Sequence, residues 1–338
     1  MQTPAHAGRL ITPAMVGVAL VLLTVPLWIA KVGLYQYIGV EILIWAIYAL
    51  GFNLLLGTAG LPSFGHGAFF GIGAYAFGLT QFHVAANLWV CLLGGILAAS
   101  LAGALVAGFV ARRRGIYFAF LTIAFGQVFW FIAMKARNVT GGEDGLLPIA
   151  RLPADFGIVS FDLTGNTALY FFVLALFLAT VVALWRLTYS PFGRVLSAIR
   201  QSELRAAHLG YQVVLFKMLA FVVSAAFAGL AGSLFAMAQG GAFPEVMALH
   251  YSGYIVMMVL VGGGLVSFWG PVIGVVVFLL ARDLLGAVTL TWMLWFGLLF
   301  VAVILFKPEG IAGVFQDLRR RFSRQPAAPA QPAARSTS

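Results

Sequence analysis

Long apolar runs are the feature that most constrains what this chain can fold into. Six of them are each about 20 residues long, the length that an α-helix needs to cross the hydrocarbon core of a bilayer. They cover residues 12–30, 38–56, 88–110, 116–134, 168–187 and 218–238. Hydrophobic residues make up 62% of the chain and charged residues only 9%, whereas about a quarter of the residues in soluble domains are charged. The sequence therefore predicts an all-α polytopic membrane protein.

Two further apolar regions, residues 63–80 and 254–306, are interrupted by glycine and proline. Such interruptions in membrane segments indicate short, discontinuous or re-entrant helices. Three crossings within residues 254–306 are tight at a helical rise of about 1.5 Å per residue, so at least one of them should be short. We therefore expect about ten membrane segments, some of them short or broken.

Basic residues fix the expected orientation in the membrane. They cluster at residues 112–114, at 186–217 and from 307 onwards, and short basic loops stay in the cytoplasm. Both termini are then cytoplasmic, and the loop at residues 137–166 is periplasmic. The first apolar run lacks a small-residue cleavage site and is expected to remain as a helix.

The domain organisation follows from the same pattern. We expect one transmembrane domain over residues 1–316. Residues 317–338 are basic and rich in proline and alanine, and they offer little apolar surface to bury, so a disordered cytoplasmic tail is expected there.

A polar segment at residues 188–217 separates two of the long apolar runs. Ser190 and Pro191 fit the start of a helix, and Gly210 fits its end. One face of this helix carries Arg194, Ser197, Gln201, Arg205 and His208, and another carries Val195, Ile199 and Ala206. The segment is predicted to be an amphipathic helix in a cytoplasmic loop, which either holds another protein or lies on the lipid surface. Small alanines on its apolar side favour the protein partner.

The segment SPFGRVLSAIRQSELRAAHLG resembles the cytoplasmic coupling loop of ABC importer permeases of the branched-chain amino-acid type. Five further stretches are similar to the same family, in order along the chain: GFNLLLGTAGLPSFGHGAFFGIGAY, RGIYFAFLTIAFGQV, TGGEDGL, KMLAFVVSAAFAGLAGSLFA and GGGLVSFWGPVIG. The second and third of these favour the LivM type over its LivH sister. At His208 the chain departs from a Glu that is frequent in the family.

The resemblance implies a type II ABC-importer-like permease subunit in the bacterial inner (plasma) membrane. It implies as partners a LivH-like permease subunit, two ABC ATPase subunits and a periplasmic substrate-binding protein. It also implies that closure of the ATPases moves the coupling loop and the membrane helices attached to it. The residues expected to carry that coupling are Arg194, Arg200, Glu203, Arg205, Ala206, Ala207 and Gly210.

Polar residues within the apolar runs are candidates for the transport pathway, because lipid offers them no partner. They are Asn53, Ser63, His66, Thr122 and Gln127. A second interpretation is open for each: His66 is a hydrogen-bonded packing residue, and the others join neighbouring helices. The glycines nearby, including Gly67 and Gly71, fit either an unwound segment or close helix packing.

The predicted periplasmic loop contains a short stretch that is glycine-rich and acidic. It consists of Thr140, Gly141, Gly142, Glu143 and Asp144. The stretch is expected either to dock the binding protein, since its acids suit a basic partner surface, or simply to form a turn.

Two weaker patterns leave alternatives open. Ala225, Gly229 and Ser233 are spaced by four and present a smooth helix face, either for the partner permease or for packing within the subunit. The pattern G-L-x-S-F occurs at residues 60–64 and again at 264–268, through duplication or through chance.

Several classes of function are disfavoured. The net charge of +10 follows the loops and the tail rather than a binding stripe, so nucleic acid is not an expected partner. No G-x-x-x-x-G-K-[ST] phosphate loop occurs, so ATP should be hydrolysed on other chains and no cofactor is expected in this one. The five histidines are scattered and the single cysteine, Cys91, lies in an apolar run, so neither an enzyme nor a metal site is expected.

The predicted function is the permease subunit of an ATP-driven importer of leucine, isoleucine and valine. Permeases for urea or short amides, or for aromatic acids, are the alternatives, because the binding protein is expected to set most of the specificity. An ion-coupled secondary transporter is less favoured. Glu41 lies near a predicted helix end and Asp283 lies beside Arg282, and neither makes a good ion site within the membrane.

Overall fold

The computed structural model of the protein describes residues 13–28, 37–155, 160–289, 291–307 and 309–314. The expected tail, residues 317–338, lies outside them. The described chain is mostly helical, as the apolar runs predict. Its helices are α1 Pro13–Trp28, α2 Tyr37–Asn53, α3 Gly67–His83, α4 Leu88–Val110, α5 Gly115–Lys135, α6 Arg137–Thr140, α7 Asn166–Tyr189, α8 Pro191–Gln201, α9 Glu203–His208, α10 Val213–Gln239, α11 Leu249–Gly262, α12 Gly270–Val288 and α13 Trp292–Phe306.

Short irregular elements connect these helices. A π-helical turn, Leu54–Thr58, continues α2, and 3₁₀ turns occupy Gly142–Asp144 and Pro244–Met247. A small antiparallel hairpin of β1, Ala154–Asp155, and β2, Ser160–Phe161, lies between α6 and α7.

Six helices in the described ranges are long and apolar enough to cross a membrane: α2 with its π-helical turn, α4, α5, α7, α10 and α12. Five of them coincide with predicted apolar runs, and the remaining run, 12–30, contains the shorter apolar helix α1. The interrupted region 254–306 contains the end of α11, then α12 and α13, of which α11 and α13 are short. The chain is therefore a multi-pass membrane protein.

Helix α2 lies at the centre of the bundle. The protein buries 94% of the most apolar 18-residue stretch of α2 and its π-helical turn, compared with 28–44% of the corresponding stretch in the other five long helices. Helices α7, α10, α11 and α12 pack around it. Although α2 is as apolar as a lipid-facing helix, it contacts protein on all sides.

Small residues bring α3, α4 and α10 close together. Gly73 of α3 and Gly229 of α10 face each other with no room for a Cβ atom. Ser233 donates a hydrogen bond to the Gly73 carbonyl oxygen at 3.1 Å, and Ala225 packs against α4. The face formed by Ala225, Gly229 and Ser233 therefore packs within the subunit, as small residues in membrane helices allow.

The interrupted region 63–80 contains the end of a non-helical segment, residues 59–66, followed by α3. Residues 59–66 are here called the non-helical leg. Residues 59–66 leave the end of α2 without regular structure, and α3 then begins at Gly67. Gly65 packs directly against the backbone of α5 at Thr122. Gly67 and Gly71 are helical, and they lie against the first turn of α11 and the segment that precedes it. These two glycines thus serve close packing rather than unwinding of the helix.

Cys91 occupies an interior position on α4, where it is 0% exposed and its thiol donates to the Ala85 carbonyl oxygen at 3.3 Å. Cys91→Ala removes one buried sulfur, comparable to a methyl group, so we expect the free energy of unfolding to fall by about 1 kcal/mol. Unfolding of the assembled protein in mixed detergent micelles measures this loss. A loss above roughly 3 kcal/mol would show that the thiol does more than fill space.

Candidate functional site

The polar segment at residues 188–217 folds into two helices rather than one. Ser190 caps α8, accepting a hydrogen bond from the Gly193 amide, and Pro191 occupies the first helical position. The expected single helix is broken at Ser202, whose extended backbone ends α8 and whose hydroxyl caps α9. Gly210 follows α9 with a φ of +87°, as expected for a stop. The break has a local cause, because Ser202 followed by Glu203 is a good helix start.

The apolar face of the segment packs on the protein itself. Val195, Leu196 and Ile199 of α8 are buried, as is Ala206 of α9. Helix α8 lies against α7, α10 and the π-helical turn after α2. The apolar face of α8 is therefore covered by protein rather than left open to lipid.

The opposite face of the segment is exposed and partly apolar. Leu204 is 60% exposed and Leu209 is 75% exposed. Around them lie further exposed residues: Arg194, Gln201, Arg205, Ala207 and His208. Large apolar side chains on a polar loop are typical of a protein-binding surface. Of the predicted coupling residues, Ala206 contacts the bundle, and Arg194, Arg205 and Ala207 belong to this outer surface.

A cavity of about 540 Å³ lies beside this surface. It is formed by the α4–α5 turn, by α9 and by the first turns of α10. Its lining includes Arg112, Arg114, Glu203, Ala207 and Met218.

Glu203 ties α9 to two other parts of the chain. Its carboxylate contacts Arg114 of the α4–α5 turn at 2.6 Å and the Lys217 ammonium of α10 at 3.1 Å. Lys217 also donates to the Arg113 carbonyl oxygen at 2.7 Å, and its side chain is 0% exposed. Glu203 thus connects α9 to the ends of α4, α5 and α10.

Arg200 ties α8 to the two chain breaks that share the G-L-x-S-F pattern. Its guanidinium donates a hydrogen bond to the carbonyl oxygen of Gly57 in the π-helical turn. It also donates to the carbonyl oxygen of Leu265, in the turn before α12, at 3.4 Å. Its methylene groups pack on Gly60, which has a φ of +72°. Partial burial lowers the pKa of Arg200, but an arginine still stays charged at neutral pH.

Four of the five predicted pathway residues, Asn53, Ser63, His66 and Thr122, are buried and are here called the buried polar group. Ser63, His66 and Thr122 are buried where the non-helical leg meets α5, Asn53 is buried nearer the π-helical turn, and Gln127 is half-buried. His66 is 2.9 Å from the Ser224 hydroxyl, and Thr122 accepts from the Phe64 amide at 3.2 Å. Within the described residues, Asn53 Oδ1, Ser63 Oγ and His66 Nδ1 have no hydrogen-bond partner.

The glycine-rich acidic stretch is an ordered turn in the loop before α7, whereas the polar segment at residues 188–217, here called the coupling segment, follows α7. Gly141, Gly142 and the adjacent Gly145 have φ values of +77°, +66° and +74°, a conformation that favours glycine. The buried Thr140 hydroxyl lies 2.6 Å from the Ala133 carbonyl oxygen. Both acids of the stretch, Glu143 and Asp144, are exposed.

An ion-pair group that sequence reasoning dismissed joins α2 to α12. Arg282 donates to both carboxylate oxygens of Glu41, at 2.7 and 2.8 Å, and to Asp283 at 3.0 Å. The Glu41 side chain is only 7% exposed. The available signal was that a carboxylate and a guanidinium both occur in apolar runs, since such charges are almost always paired.

Comparison with known proteins agrees with this architecture. A family profile described as "Branched-chain amino acid transport system / permease component" matches residues 34–307. The chain therefore belongs to this family of membrane permease components, as the coupling-loop resemblance predicted.

Three relatives illustrate the relationship. The chain is 32% identical over 290 residues to the high-affinity branched-chain amino acid transport system permease protein LivM of Salmonella typhimurium, and 31% identical to the same protein of Escherichia coli. Each alignment covers 80% of this chain and 68% of the relative. A probable branched-chain amino acid transport permease protein LivM of Methanocaldococcus jannaschii is 26% identical over 328 residues, with 80% of this chain and 92% of the relative covered. None of the solved structures gives a significant match.

Proposed function

We propose that this chain is the LivM-type permease subunit of an ATP-driven importer of branched-chain amino acids. The observation that carries the proposal is the coupling segment: α8 is anchored on the membrane bundle, and α9 presents Leu204 and Leu209 to the outside. A surface of this kind needs a protein partner, and the relatives are named as transport-system components. The partners proposed are a LivH-like permease, two ABC ATPases and a periplasmic binding protein.

Coupling is proposed to run through two contacts of the segment. The ATPases hold the surface around Leu204, Arg205 and Ala207, next to the cavity beside α9. Their closure displaces α8 and α9. Arg200 then carries the displacement to the ends of α2 and α11, and Glu203 carries it to α4, α5 and α10. The chain itself supplies no catalytic group in this scheme.

The topology proposed is that of a type II importer permease. It has ten membrane segments, α1 to α5, α7 and α10 to α13, with both termini, residues 188–217 and the tail 317–338 in the cytoplasm. Residues 137–166 are periplasmic, where Thr140 to Asp144 are proposed to dock the binding protein. In support, the two loops lie at opposite ends of α7. Asp144→Cys should react with an impermeant thiol reagent from outside, and reaction from the cytosolic side alone contradicts the topology.

The buried polar group is proposed to border the transport pathway. Asn53, Ser63 and His66 each leave a polar atom without a partner in this conformation, which is costly in a protein interior. A second conformation, in which the non-helical leg moves and water or substrate reaches these atoms, removes that cost. Thr122 and Gln127 on α5 flank the same leg.

Uptake in reconstituted vesicles tests the proposed function. The permease pair, its ATPases and its binding protein should accumulate leucine, isoleucine and valine when ATP is supplied. Accumulation should stop when the ATPase subunits carry an inactivating substitution. Uptake of urea or phenylalanine in place of these amino acids identifies one of the alternative substrates, and uptake without active ATPases contradicts the whole proposal.

Leu204→Glu is expected to weaken ATPase binding. The change removes an apolar contact worth about 1.5 kcal/mol, equal to a loss of about tenfold in affinity, and places a charge in the interface. Co-purification of the ATPases with the membrane subunits measures the loss. Val84→Glu, at a residue that is 73% exposed at the other end of the bundle, is the matched control. Equal ATPase recovery in the two variants contradicts the assigned surface.

A further inference from the structure

Helix α11 begins deep inside the bundle rather than at its end. The Gly67 amide, at the start of α3, donates to Ser252 in the first turn of α11 at 2.9 Å. Met247, just before α11, lies against Gly71. Gly71 lies 12 residues before His83 at the outer end of α3, so this level is about 18 Å below that end at about 1.5 Å per residue. The hydrocarbon core of a bilayer is about 30 Å thick. The start of α11 is therefore at membrane depth.

Polar groups lie on the uncovered side of this helix start. The side chain of Glu245 is 71% exposed and that of His250 is 46% exposed, with 3.8 Å between the nearest carboxylate oxygen and Nε2. One turn further, the Tyr254 ring lies 5.7 Å from the His250 ring. Glu245, His250 and Tyr254 are here called the α11 face.

Lipid is an unsuitable neighbour for the α11 face. A charged residue at the centre of a membrane helix costs about 2.5–3.5 kcal/mol on insertion scales. The chain builds a lipid-facing surface quite differently on α4, where the exposed side chains are entirely apolar. The large ones are Val90, Leu93, Leu97, Leu101, Leu105 and Phe109, exposed by 39%, 57%, 59%, 71%, 56% and 63%. The contrast indicates that the α11 face does not contact lipid.

The charges around the α11 face favour an ammonium group. Tyr251 lies between His250, at 5.0 Å, and the central Trp45, at 6.1 Å between ring centroids. Behind it lies the ion-pair group in which Arg282 is shared by Glu41 and Asp283. Glu245, Glu41 and Asp283 carry three negative charges around the Tyr251 ring and Arg282 carries one positive charge, so the net charge of these four groups is negative. Tyrosine rings and a carboxylate together are a good environment for an ammonium ion.

We infer that the α11 face lines a water-filled vestibule that opens to the periplasm, where the zwitterionic amino-acid substrate is held by its ammonium group at Glu245. The inference rests on the proposed function and specifies where the substrate of that function lies. The carboxylate of Glu245 pairs with the ammonium group, and the aromatic ring of Tyr254 provides a surface for the rest of the molecule. No group on this face takes part in a chemical step.

Thiol labelling tests the exposure to water. In the Cys91→Ala background and in the assembled transporter, His250→Cys and Tyr254→Cys should react with an impermeant methanethiosulfonate added outside. Leucine with its binding protein should slow that reaction. Leu101→Cys, on the lipid-facing side of α4, should stay unreactive, and Asp162→Cys in the outer loop should react at once. If both α11 positions stay unreactive while Asp162→Cys reacts, the vestibule is absent and the inference is wrong.

Uptake kinetics test the role of Glu245. Glu245→Gln should raise the KM for leucine by about tenfold with little change in kcat, and Glu245→Asp should keep most of the affinity. Asp162→Asn removes an exposed outer carboxylate elsewhere and is the control. An unchanged KM in Glu245→Gln would contradict the proposed contact between Glu245 and the substrate. If wild-type vesicles transport no amino acid, the proposed function fails instead, and the labelling result still reports on the vestibule.

Discussion

Arg282→Met is expected to lower the free energy of unfolding of the assembled protein by about 3 kcal/mol, the lower end of the range for breaking a buried ion pair. The guanidinium donates both hydrogen bonds to the Glu41 carboxylate, which is 7% exposed. Without Arg282, this carboxylate is left buried with neither hydrogen-bond donor. The lower end applies because the Arg282 side chain is 29% exposed and water can partly replace it.

A double-mutant cycle separates this pair from general packing. Glu41→Gln with Arg282→Met should be less destabilised than the sum of the two single changes, because no unpaired carboxylate remains at Glu41. Unfolding in mixed micelles with a denaturing detergent measures all three variants. Lys135→Met, an exposed cation at the end of α5, controls for loss of positive charge. Additivity of the two single changes would mean that the residues do not act as a pair.

The membrane spans were predictable because their signal is local. An apolar run of about 20 residues has one stable solution in a bilayer, and α4, α5, α7 and α10 begin and end close to the predicted limits. The central place of α2 was not predictable. Side chains that face lipid and side chains that face other helices are equally apolar, so hydropathy does not report which helix is enclosed.

The coupling segment shows both what sequence reasoning finds and what it misses. Its caps, its buried face and its stop at Gly210 follow from residue type and spacing, and all are present. The break at Ser202 has a local signal that the longer helical pattern obscured. The partners of Arg200 and Glu203 depend on how distant parts of the chain meet, and spacing alone contains no such information.

Long-range pairing also explains why the α11 face escaped detection. Residues 245–253 lie between the predicted apolar regions 218–238 and 254–306, and only the contacts with Gly67 and Gly71 reveal their depth. Glu41 and Arg282 are 241 residues apart in sequence. With one sequence and no contacts, an acid near a predicted helix end has no visible partner.

Arg200 is a single side chain that connects the coupling segment to two breaks in the membrane helices. Gly57 and Leu265 lie on chain breaks at the ends of α2 and α11, and one guanidinium holds both carbonyl oxygens. Carbonyl oxygens at such breaks lack their helical donors, so a charged donor stabilises them. If α8 moves as a rigid unit, these bonds link both breaks to its movement, in addition to the packing of α8 on the π-helical turn.

Arg200→Met is therefore expected to uncouple transport from ATP hydrolysis. It keeps the methylene packing on Gly60 but removes two charge-assisted hydrogen bonds. Such bonds contribute about 1.5–3 kcal/mol each when buried. Because Arg200 is only partly buried, we expect a total near 1.4 kcal/mol, or about a tenfold fall in leucine transported per ATP hydrolysed. Arg200→Lys, which keeps a cationic donor, should recover part of the ratio.

The measurement is simultaneous leucine uptake and phosphate release in reconstituted vesicles, with ATPase co-purification recorded for every variant. Arg200→Met should retain its ATPases, because Arg200 contacts the bundle whereas Leu204 lies on the exposed surface proposed for the ATPases, and this distinguishes failed transmission from failed docking. Arg186→Met, an exposed cation in the last turn of α7, is the matched control. A normal ratio of uptake to hydrolysis in Arg200→Met would assign transmission to the Glu203 contacts with Arg114 and Lys217 instead.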